Sequence, residues 1–169
     1  MFGAMQNSVP PTYEELQSMA GRQLGLTDWV LIDQARIDAF AECTGDRQWI
    51  HTDPERARRQ SPFRTTIAHG KLILSMVSAL GQDMNAIPEN TQGVINQGLD
   101  NVRFLAAVPV GSRVRLRSTL MSMDVEGPGK YLFRIFNAME MEGRNEPVLT
   151  CETVSIFYER RQKRVAPEA

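Results

Sequence analysis

The chain of 169 residues lacks most of the features that mark secreted and membrane-spanning proteins. Two cysteines are too few for a disulfide framework, and we interpret Cys43 and Cys151 as reduced thiols of a cytoplasmic protein. No apolar run approaches the roughly 20 residues that cross a bilayer, so we expect no membrane partner. Residues 1–11 have neither the basic start nor the apolar centre of a signal peptide.

The chain also lacks a charge excess of either sign. Its 19 basic and 20 acidic residues leave a formal net charge of −1. Because no overall field attracts a polyanion, we expect no nucleic-acid partner. The basic run 158–164 is short and terminal, and we interpret it as the edge of a solvated polar tail, residues 160–169. Repeats are also missing, and the length suits one domain over residues 1–169.

Helical patterns open the chain. The spacing of Thr12 and Glu15 is that of a capping box, which predicts a short helix within an N-terminal extension, residues 1–20. Asp33 can cap a second helix over residues 34–44, and the glycine that follows is suited to end it.

The middle of the chain predicts one short strand, an irregular segment and one long helix. The apolar run 29–32 is typical of a strand. Residues 46–67 carry two prolines and many charges, and we interpret them as irregular with one helical turn at 54–59. Residues 68–84 form an apolar pattern on nearly every side of a helix, which predicts a helix that needs complete cover.

Strand patterns fill the second half of the chain, separated by short turns. They lie near residues 93–106, 112–125, 130–142 and 147–159. Alternation of apolar and polar residues indicates strands with one buried face, and short links make the sheet antiparallel. We therefore predict an α+β fold in which an antiparallel sheet wraps around the long helix.

The only two histidines of the chain, His51 and His69, belong to the motifs most suggestive of chemistry. Asp46 precedes His51 by five residues, and a carboxylate with an imidazole can share proton transfer at neutral pH. This spacing separates the two side chains on a helix and on an extended strand. They converge only if the segment curls, and otherwise they are two surface loop residues.

His69 and Gly70 stand at the start of the long helix, where backbone N–H groups lack acceptors. A glycine amide there can approach a ligand oxygen closely and act as an oxyanion hole. The alternative is a packing glycine beside a capping histidine. Ser78 lies two turns further along the same helix, where its hydroxyl needs a partner, most simply a backbone carbonyl.

Weaker candidates surround these motifs. Cys43 falls beside apolar positions of its helix, so we interpret it as a core cysteine and not as a nucleophile. A metal site would need both histidines with Asp46 or Asp53, but no dense ligand spacing supports one, and we expect no metal. Trp49 fits an acyl pocket and ordinary packing equally well.

Two stretches together resemble a known family. Residues 40–54, Phe-Ala-Glu-Cys-Thr-Gly-Asp-Arg-Gln-Trp-Ile-His-Thr-Asp-Pro, and residues 66–70, Thr-Ile-Ala-His-Gly, resemble the MaoC-like dehydratases, also called (R)-specific enoyl-CoA hydratases or hydratase 2. The similarity covers about residues 20–158 and is closest to the nodulation-protein-N-like branch. Further similarities to that branch lie at Trp29, Gln34 and 98–104.

The resemblance implies a hot-dog fold, in which an antiparallel sheet wraps around a central helix, and usually a dimer. It implies that Asp46 and His51 are catalytic and that the Gly70 amide is the oxyanion donor. It also implies that Ser78 hydrogen-bonds near the catalytic carboxylate, with His69 in a supporting place.

The activity that the resemblance implies is syn addition of water to a trans-2-enoyl thioester, or its reversal in fatty acid metabolism. The favoured split makes Asp46 the base and His51 the acid, and the sequence leaves open which group moves which proton. Coenzyme A or acyl carrier protein would enter as part of the substrate, with no separate cofactor. Two alternatives stay open: a hot-dog acyl-CoA thioesterase, and an acyl-thioester-binding protein without turnover.

The sequence departs from the common family pattern at three places. Gln48 and Trp49 replace an Asn-Pro pair, and Arg64 stands where a glycine is frequent. Lys71 takes a position that is usually apolar, where a lysine needs solvent or an anionic partner. Trp49 and Lys71 are therefore candidate substrate contacts, the latter to a coenzyme A phosphate.

Overall fold

The computed structural model describes residues 10–84 and 86–160. Its helices are α1 (Tyr13–Ser18), α2 (Gln34–Thr44), α3 (Trp49–Thr52), α4 (Pro54–Gln60) and α5 (Gly70–Gln82). Its strands are β1 (Gln23–Leu26), β2 (Val30–Leu31), β3 (Thr91–Phe104), β4 (Arg113–Gly127), β5 (Lys130–Met141) and β6 (Leu149–Glu159). None of these helices is long and apolar enough to cross a membrane. Most of the predicted extension and tail, residues 1–9 and 161–169, lies outside the described residues.

The strands form one antiparallel sheet in the order β1-β4-β5-β6-β3, and β2 also pairs with β4. The four long strands predicted from alternation, β3 to β6, are confirmed. β1 was not predicted, because only one of its four residues, Leu24, is buried, and a single buried position shows no readable alternation. Its partner β4 lies about ninety residues away in the sequence, for example at Gln23 opposite Thr119.

Two hydrophobic clusters hold the helices to the sheet. The buried stripe of α5, represented by Ile73 and Val77, packs in one cluster with residues of the sheet such as Leu116 and Met139. The second cluster joins α1 and β1 to the other end of the sheet, at Tyr13, Leu16, Leu24, Leu120, Met123, Phe133 and Phe157. This confirms the α+β class and the hot-dog arrangement that the resemblance implied.

The long helix differs from the prediction in length and cover. α5 begins at Gly70, not at residue 68, and ends at Gln82. The prediction that it needs complete cover was wrong, since Ser75, Ser78 and Ala79 are exposed. Small and hydroxyl-bearing side chains make this face tolerant of solvent, while the opposite stripe provides the packing.

The segment predicted to be irregular, residues 46–67, contains two short helices. The predicted turn at 54–59 is confirmed within α4, where Pro54 takes the first position and the Asp53 carboxylate accepts from Arg56 N–H at 2.9 Å. The single turn of α3 was not predicted, because four residues are too few for a helical period to appear in the sequence.

Candidate active site

The end of α2 places the Asp46 side chain. Asp33 caps the start of this helix by accepting from Arg36 N–H at 2.9 Å, as predicted. Gly45 ends the helix in the left-handed region with φ 76°, a conformation that suits glycine. The helix therefore stops at Gly45, and Asp46 is the first residue of the segment that leaves it.

The single turn of α3 supplies the curl that the spacing of Asp46 and His51 requires. A carboxylate oxygen of Asp46 and one ring nitrogen of each histidine, His51 and His69, lie within 4.8 Å of one another. The two residues singled out by their spacing thus face each other, and the second histidine joins them from the start of α5.

The surroundings of His51 select one form of its ring. The side chain is buried, and its Nδ1 lies 2.7 Å from the carbonyl oxygen of Ile67. Because a carbonyl only accepts, Nδ1 carries the proton and Nε2 of the neutral ring keeps a lone pair. Burial lowers the pKa of His51, helped by His69, while the Ile67 carbonyl and the Asp46 charge act in the opposite direction. The ring is therefore poised as a proton acceptor.

His69 occupies the N-cap position of α5, but its side chain packs within the site. Its ring stacks on that of His51 with centroids 3.7 Å apart, and the Phe40 ring lies 5.1 Å away. Its Nε2 donates to the backbone carbonyl of Asp46 at 2.8 Å, and no side-chain cap bond to α5 is present. His69 thus fixes the backbone that carries Asp46, and it caps the helix by its position in the chain and not by a side-chain bond.

Asp46, His51 and His69 form the one group in the described part of the chain with the composition of a metal site. The two imidazole rings are stacked at an angle of 26°. Ring lone pairs lie in the ring plane, so stacked rings direct them side by side and not toward one shared ion. The geometry favours proton transfer over metal binding, and the lack of a resident metal stays a prediction.

Gly70 brings the first amide of α5 to the same place. The first N–H groups of a helix have no intrahelical acceptor, and the positive end of the helix dipole lies here. A Cβ at Gly70 would meet Cδ1 of Phe104 at 2.8 Å, closer than real contacts. Only glycine therefore allows the Phe104 ring to lie against the helix start, leaving the amide accessible from the cleft.

These groups line a cleft of about 560 Å³. Asp46, His51, His69, Gly70 and Lys71 form its polar side, while Ile73, the segment 104–108, Val148 and Leu149 form its apolar side. Lys71 is exposed, so the solvent route that its charge needed is present. The cleft combines a proton acceptor, a carboxylate and a helix-start amide with an apolar wall.

Two predicted site residues do not reach this cleft. The indole ring of Trp49 lies half-buried under the Arg56 guanidinium, 4.5 Å from its centroid, and is not part of the lining. Ser78 lines a different cavity further along α5. Within the described residues no bond joins Ser78 to the Asp46 carboxylate, so the predicted contact is corrected: two helical turns separate Ser78 from the helix start.

The two cysteines also fall in different environments. Cys43 is exposed, so the interpretation as a core cysteine was wrong, because its position on α2 faces away from the buried stripe. Cys151 is buried, and burial, with a smaller contribution from Glu152, raises the pKa of its thiol to about 11. Neither thiol belongs to the cleft lining.

Gln34 and Thr66 stabilise the segments that carry the site, and sequence reasoning assigned neither of them a role. Gln34 Nε2 donates to the His51 carbonyl oxygen at 2.8 Å, and its Oε1 accepts from Thr66 Oγ1 at 2.6 Å. Thr66 is fully buried next to the Ile67 carbonyl that orients His51. The side-chain amide of Gln34 thus connects α2 to α3 and to the segment that precedes α5. The family resemblance had pointed to Gln34 as a shared position, but it assigned no function to it.

Arg64 has an unusual backbone conformation. Its φ of 58° lies in the left-handed region, where glycine is the favoured residue. The glycine that the resemblance predicts at this position would adopt this conformation without the steric cost that a side chain adds.

Known proteins resemble this chain in sequence and in fold. Residues 15–130 match the model of a family described as the MaoC like domain. The chain is 42% identical over 140 residues to 3-hydroxyacyl-thioester dehydratase Z of Mycobacterium tuberculosis, covering 83% of this chain and 91% of that protein. It is 43% identical over 144 residues to nodulation protein N of Rhizobium leguminosarum bv. viciae, covering 85% and 89%. Its fold is similar to that of an (R)-hydratase from A. caviae involved in PHA biosynthesis, with a TM-score of 0.66 at 24% identity, covering 80% of this chain and 94% of that one.

Proposed function

The chain belongs to the family of MaoC-like domains, and from this membership we propose that it is an (R)-specific enoyl-thioester hydratase. In the reverse direction the same site acts as a 3-hydroxyacyl-thioester dehydratase. The observation that carries the proposal is the meeting of Asp46 and His51 beside the free amide of Gly70. These are the groups that addition of water to a conjugated thioester requires.

Addition begins with the thioester carbonyl oxygen bound to the Gly70 N–H. Attack of water on the β-carbon moves negative charge onto that oxygen, and the helix-start amide stabilises it there. Nε2 of neutral His51 accepts the proton of the attacking water, since Nδ1 is already committed to the Ile67 carbonyl. The Asp46 carboxylate accepts the second hydrogen bond of the water and stabilises the imidazolium that forms.

The proton taken from water is then delivered to the α-carbon. Because His51 and Asp46 hold the water on one side of the substrate, hydroxyl and hydrogen add to the same face, which is syn addition. This assignment reverses the split predicted from the sequence, in which His51 was the acid. That split requires a protonated His51 at the start, whereas burial lowers the pKa of the ring.

The proposed chemistry uses the chain's own side chains and amide. It needs no redox cofactor, since neither step is an oxidation, and no metal, since the Gly70 amide stabilises the charge on the thioester oxygen. The thioester is carried by coenzyme A or acyl carrier protein, both of which present phosphate groups. Lys71, exposed beside Gly70 at the cleft, supports a phosphate contact for either carrier.

We further propose that the protein is a cytoplasmic homodimer, with both thiols reduced. β3 is an edge strand of 14 residues and is exposed along most of its length. Val94, Ile95 and Leu99 are 40%, 57% and 50% exposed on it. A long exposed apolar edge strand pairs readily with another chain, and a second copy of β3 supplies a matching partner.

The test is hydration of crotonyl-CoA by the purified protein, followed by loss of the enoyl absorbance and by chiral analysis of the product. We expect the (R)-3-hydroxy thioester and no free coenzyme A. Release of free coenzyme A as the main product would replace the proposal with a thioesterase. Binding of several enoyl-CoA esters without turnover would replace it with an acyl-thioester-binding protein.

A further inference from the structure

The ring of His51 belongs to a closed hydrogen-bond network. Its Nδ1 donates to the Ile67 carbonyl oxygen at 2.7 Å. Thr66, the residue before Ile67, donates from Oγ1 to Gln34 Oε1 at 2.6 Å. Gln34 Nε2 then donates to the His51 carbonyl oxygen at 2.8 Å. The network therefore leads from the ring of His51 back to its own backbone, and we call these four residues the His51 network.

The side-chain amide of Gln34 can point only one way. Its Nε2 has two hydrogens, and these go to the His51 carbonyl and to the Asp38 carboxylate, at 2.8 Å each. Both partners only accept, so turning the amide over would place its oxygen against two acceptors. Oε1 must therefore face Thr66, whose hydroxyl must be the donor of that bond. The direction of each hydrogen bond in the network is thus determined.

The His51 network is not what holds α2 in place. Asp33 caps the start of this helix, and Ile37 and Ala41 are its buried residues. Gln34 is the first residue of the helix and is only half-buried. Cap and packing therefore anchor α2 without the Gln34 side chain.

The segment before α5 is also anchored by backbone bonds. The Val110 N–H donates to the Thr66 carbonyl oxygen at 3.0 Å, and the Ala68 N–H donates to the Val108 carbonyl oxygen at 2.8 Å. Toward α3, the Ile67 N–H donates to the Ile50 carbonyl oxygen at 3.2 Å, a longer bond than any of the three in the network. The network thus adds one specific constraint, the position of the Ile67 carbonyl relative to His51.

This constraint decides which ring nitrogen of His51 can react. A neutral imidazole carries its proton on either nitrogen, and the hydrogen bond made by one nitrogen selects the form. With the Ile67 carbonyl in place, the proton stays on Nδ1 and Nε2 keeps its lone pair. If the carbonyl moved away, the proton could sit on Nε2, and that nitrogen could no longer accept a proton from water.

We propose that Gln34 and Thr66 are positioning residues, which hold the Ile67 carbonyl against His51 and so keep its Nε2 free for the reaction. The inference rests on the proposed hydratase function and adds two residues to its machinery, neither of which lines the cleft. Gln34 starts the helix that Asp46 follows at its other end. The network therefore also relates the position of His51 to that of Asp46.

A matched pair of variants tests the Thr66 hydroxyl. Thr66 is fully buried, so valine fills the same space without the hydroxyl, whereas serine keeps it. With crotonyl-CoA, Thr66→Val should lower kcat by about threefold to tenfold and change KM by less than about twofold, since the network does not touch the substrate. Thr66→Ser should recover most of kcat. The control is Thr65→Val, because Thr65 makes no side-chain hydrogen bond within the described residues, and it should match the unaltered protein.

The ring nitrogens give a readout that does not depend on activity. His51 and His69 are the only histidines, so a ¹⁵N NMR spectrum of the neutral rings contains two rings alone. The unaltered protein should show His51 protonated on Nδ1 and His69 on Nε2, which donates to the Asp46 carbonyl. Thr66→Val and Gln34→Met should each show His51 as a mixture of both forms, and Thr66→Ser should not.

The pH profile separates loss of positioning from loss of folded protein. The bond to the Ile67 carbonyl raises the pKa of His51, so weakening it in Thr66→Val should move the acid limb of kcat/KM to lower pH. Asp46 and His69, the charged groups that also act on this pKa, are unchanged in the variant. A smaller amount of folded protein would lower the whole profile and leave the limb in place.

The outcomes distinguish this inference from the proposed function. If the unaltered protein does not hydrate crotonyl-CoA, the proposed function fails, while the ¹⁵N spectra still decide whether the network sets the form of His51. A His51 ring that stays protonated on Nδ1 alone in Thr66→Val, or equal loss of kcat in Thr66→Val and Thr66→Ser, would overturn the inference. If Thr66→Val does not fold, the same spectra and pH profile of Gln34→Met, at a half-buried position, decide it by the same criteria.

Discussion

The catalytic cleft at the start of α5 and the cavity that Ser78 lines further along this helix, the second cavity, are built from different chemistry. The cleft has two titratable groups that face each other, Asp46 and His51, with the helix-start amide of Gly70 beside them. The second cavity has neutral hydroxyls and amides, set between two apolar clusters. One arrangement can move protons, while the other can only donate and accept hydrogen bonds.

This difference separates proton transfer from neutral hydrogen bonding within one chain. Proton transfer needs groups that change charge, and Asp46 and His51 bring two of them together in the cleft. The buried Ser118 and Asn137 of the second cavity stay neutral and avoid the cost of a buried charge. The two cavities should therefore respond differently to substitution and to pH.

The largest effect is expected from removal of the titratable groups. Asp46→Asn and His51→Ala should each lower kcat for crotonyl-CoA by about a hundredfold to ten-thousandfold, because neither variant retains the full pair that handles the proton. The control is Asp53→Asn, which removes a nearby carboxylate but keeps the cap of α4, since asparagine also caps helices. Comparable losses in all three variants would contradict the assignment.

A smaller but still large effect is expected at the helix start. Gly70→Ala should lower kcat by about tenfold to a hundredfold, because its Cβ would collide with the Phe104 ring at 2.8 Å and shift the amide or the ring. Combining it with Phe104→Ala should recover part of the activity by restoring room. A double variant no better than Gly70→Ala would show that the ring is not what the methyl group displaces.

The pH profile tests the protonation state that the cleft requires. Since only neutral His51 accepts the water proton, kcat/KM should fall on the acid side as the ring becomes protonated, and the lowered pKa puts that midpoint below 6.5. His69→Gln removes an imidazole that lowers the pKa of His51, so the acid limb should move to higher pH. An acid limb that does not move in this variant would contradict the assignment of the titration to His51.

The smallest effect concerns a residue that belongs to neither cavity. Arg64→Gly should raise the free energy of unfolding by up to about 1 kcal/mol, since φ of 58° costs an L-residue about 1–2 kcal/mol and glycine loses part of that gain to chain entropy. Arg59→Gly, inside α4, should have the opposite sign with about 1 kcal/mol lost. Chemical denaturation of both variants checks the prediction, and a destabilised Arg64→Gly would refute it.

Much of the fold was predictable because its signals are local. The capping boundaries of α1 and α2 and the glycine after α2 follow from residues close in the sequence, and all are confirmed. The strands β3 to β6 have enough length for alternation to be visible. The family resemblance at residues 40–54 and 66–70 is confirmed by the match to the MaoC like domain.

The misses have more than one cause. β1 is recognisable only through its pairing with β4, a strand distant in the chain, and α3 is too short to show a period. Trp49 packs under Arg56 of the neighbouring helix α4, and Ser78 lines a cavity whose other wall is the sheet. For β1 and Ser78 the deciding contact is with distant segments, which sequence patterns do not reveal.

The sequence by itself determined the reacting groups, since the only two histidines, the aspartate at a spacing of five and the glycine at the helix start leave few other candidates. Tertiary structure alone decided the protonation and reach of these groups. The tautomer of His51 depends on the Ile67 carbonyl, its pKa on burial, and the placement of Asp46 on a bond from His69, twenty-three residues along the chain. The type of a residue specifies which proton transfers it can perform. Which protonation state it adopts depends on its burial and its hydrogen-bond partners, and only folding brings these together.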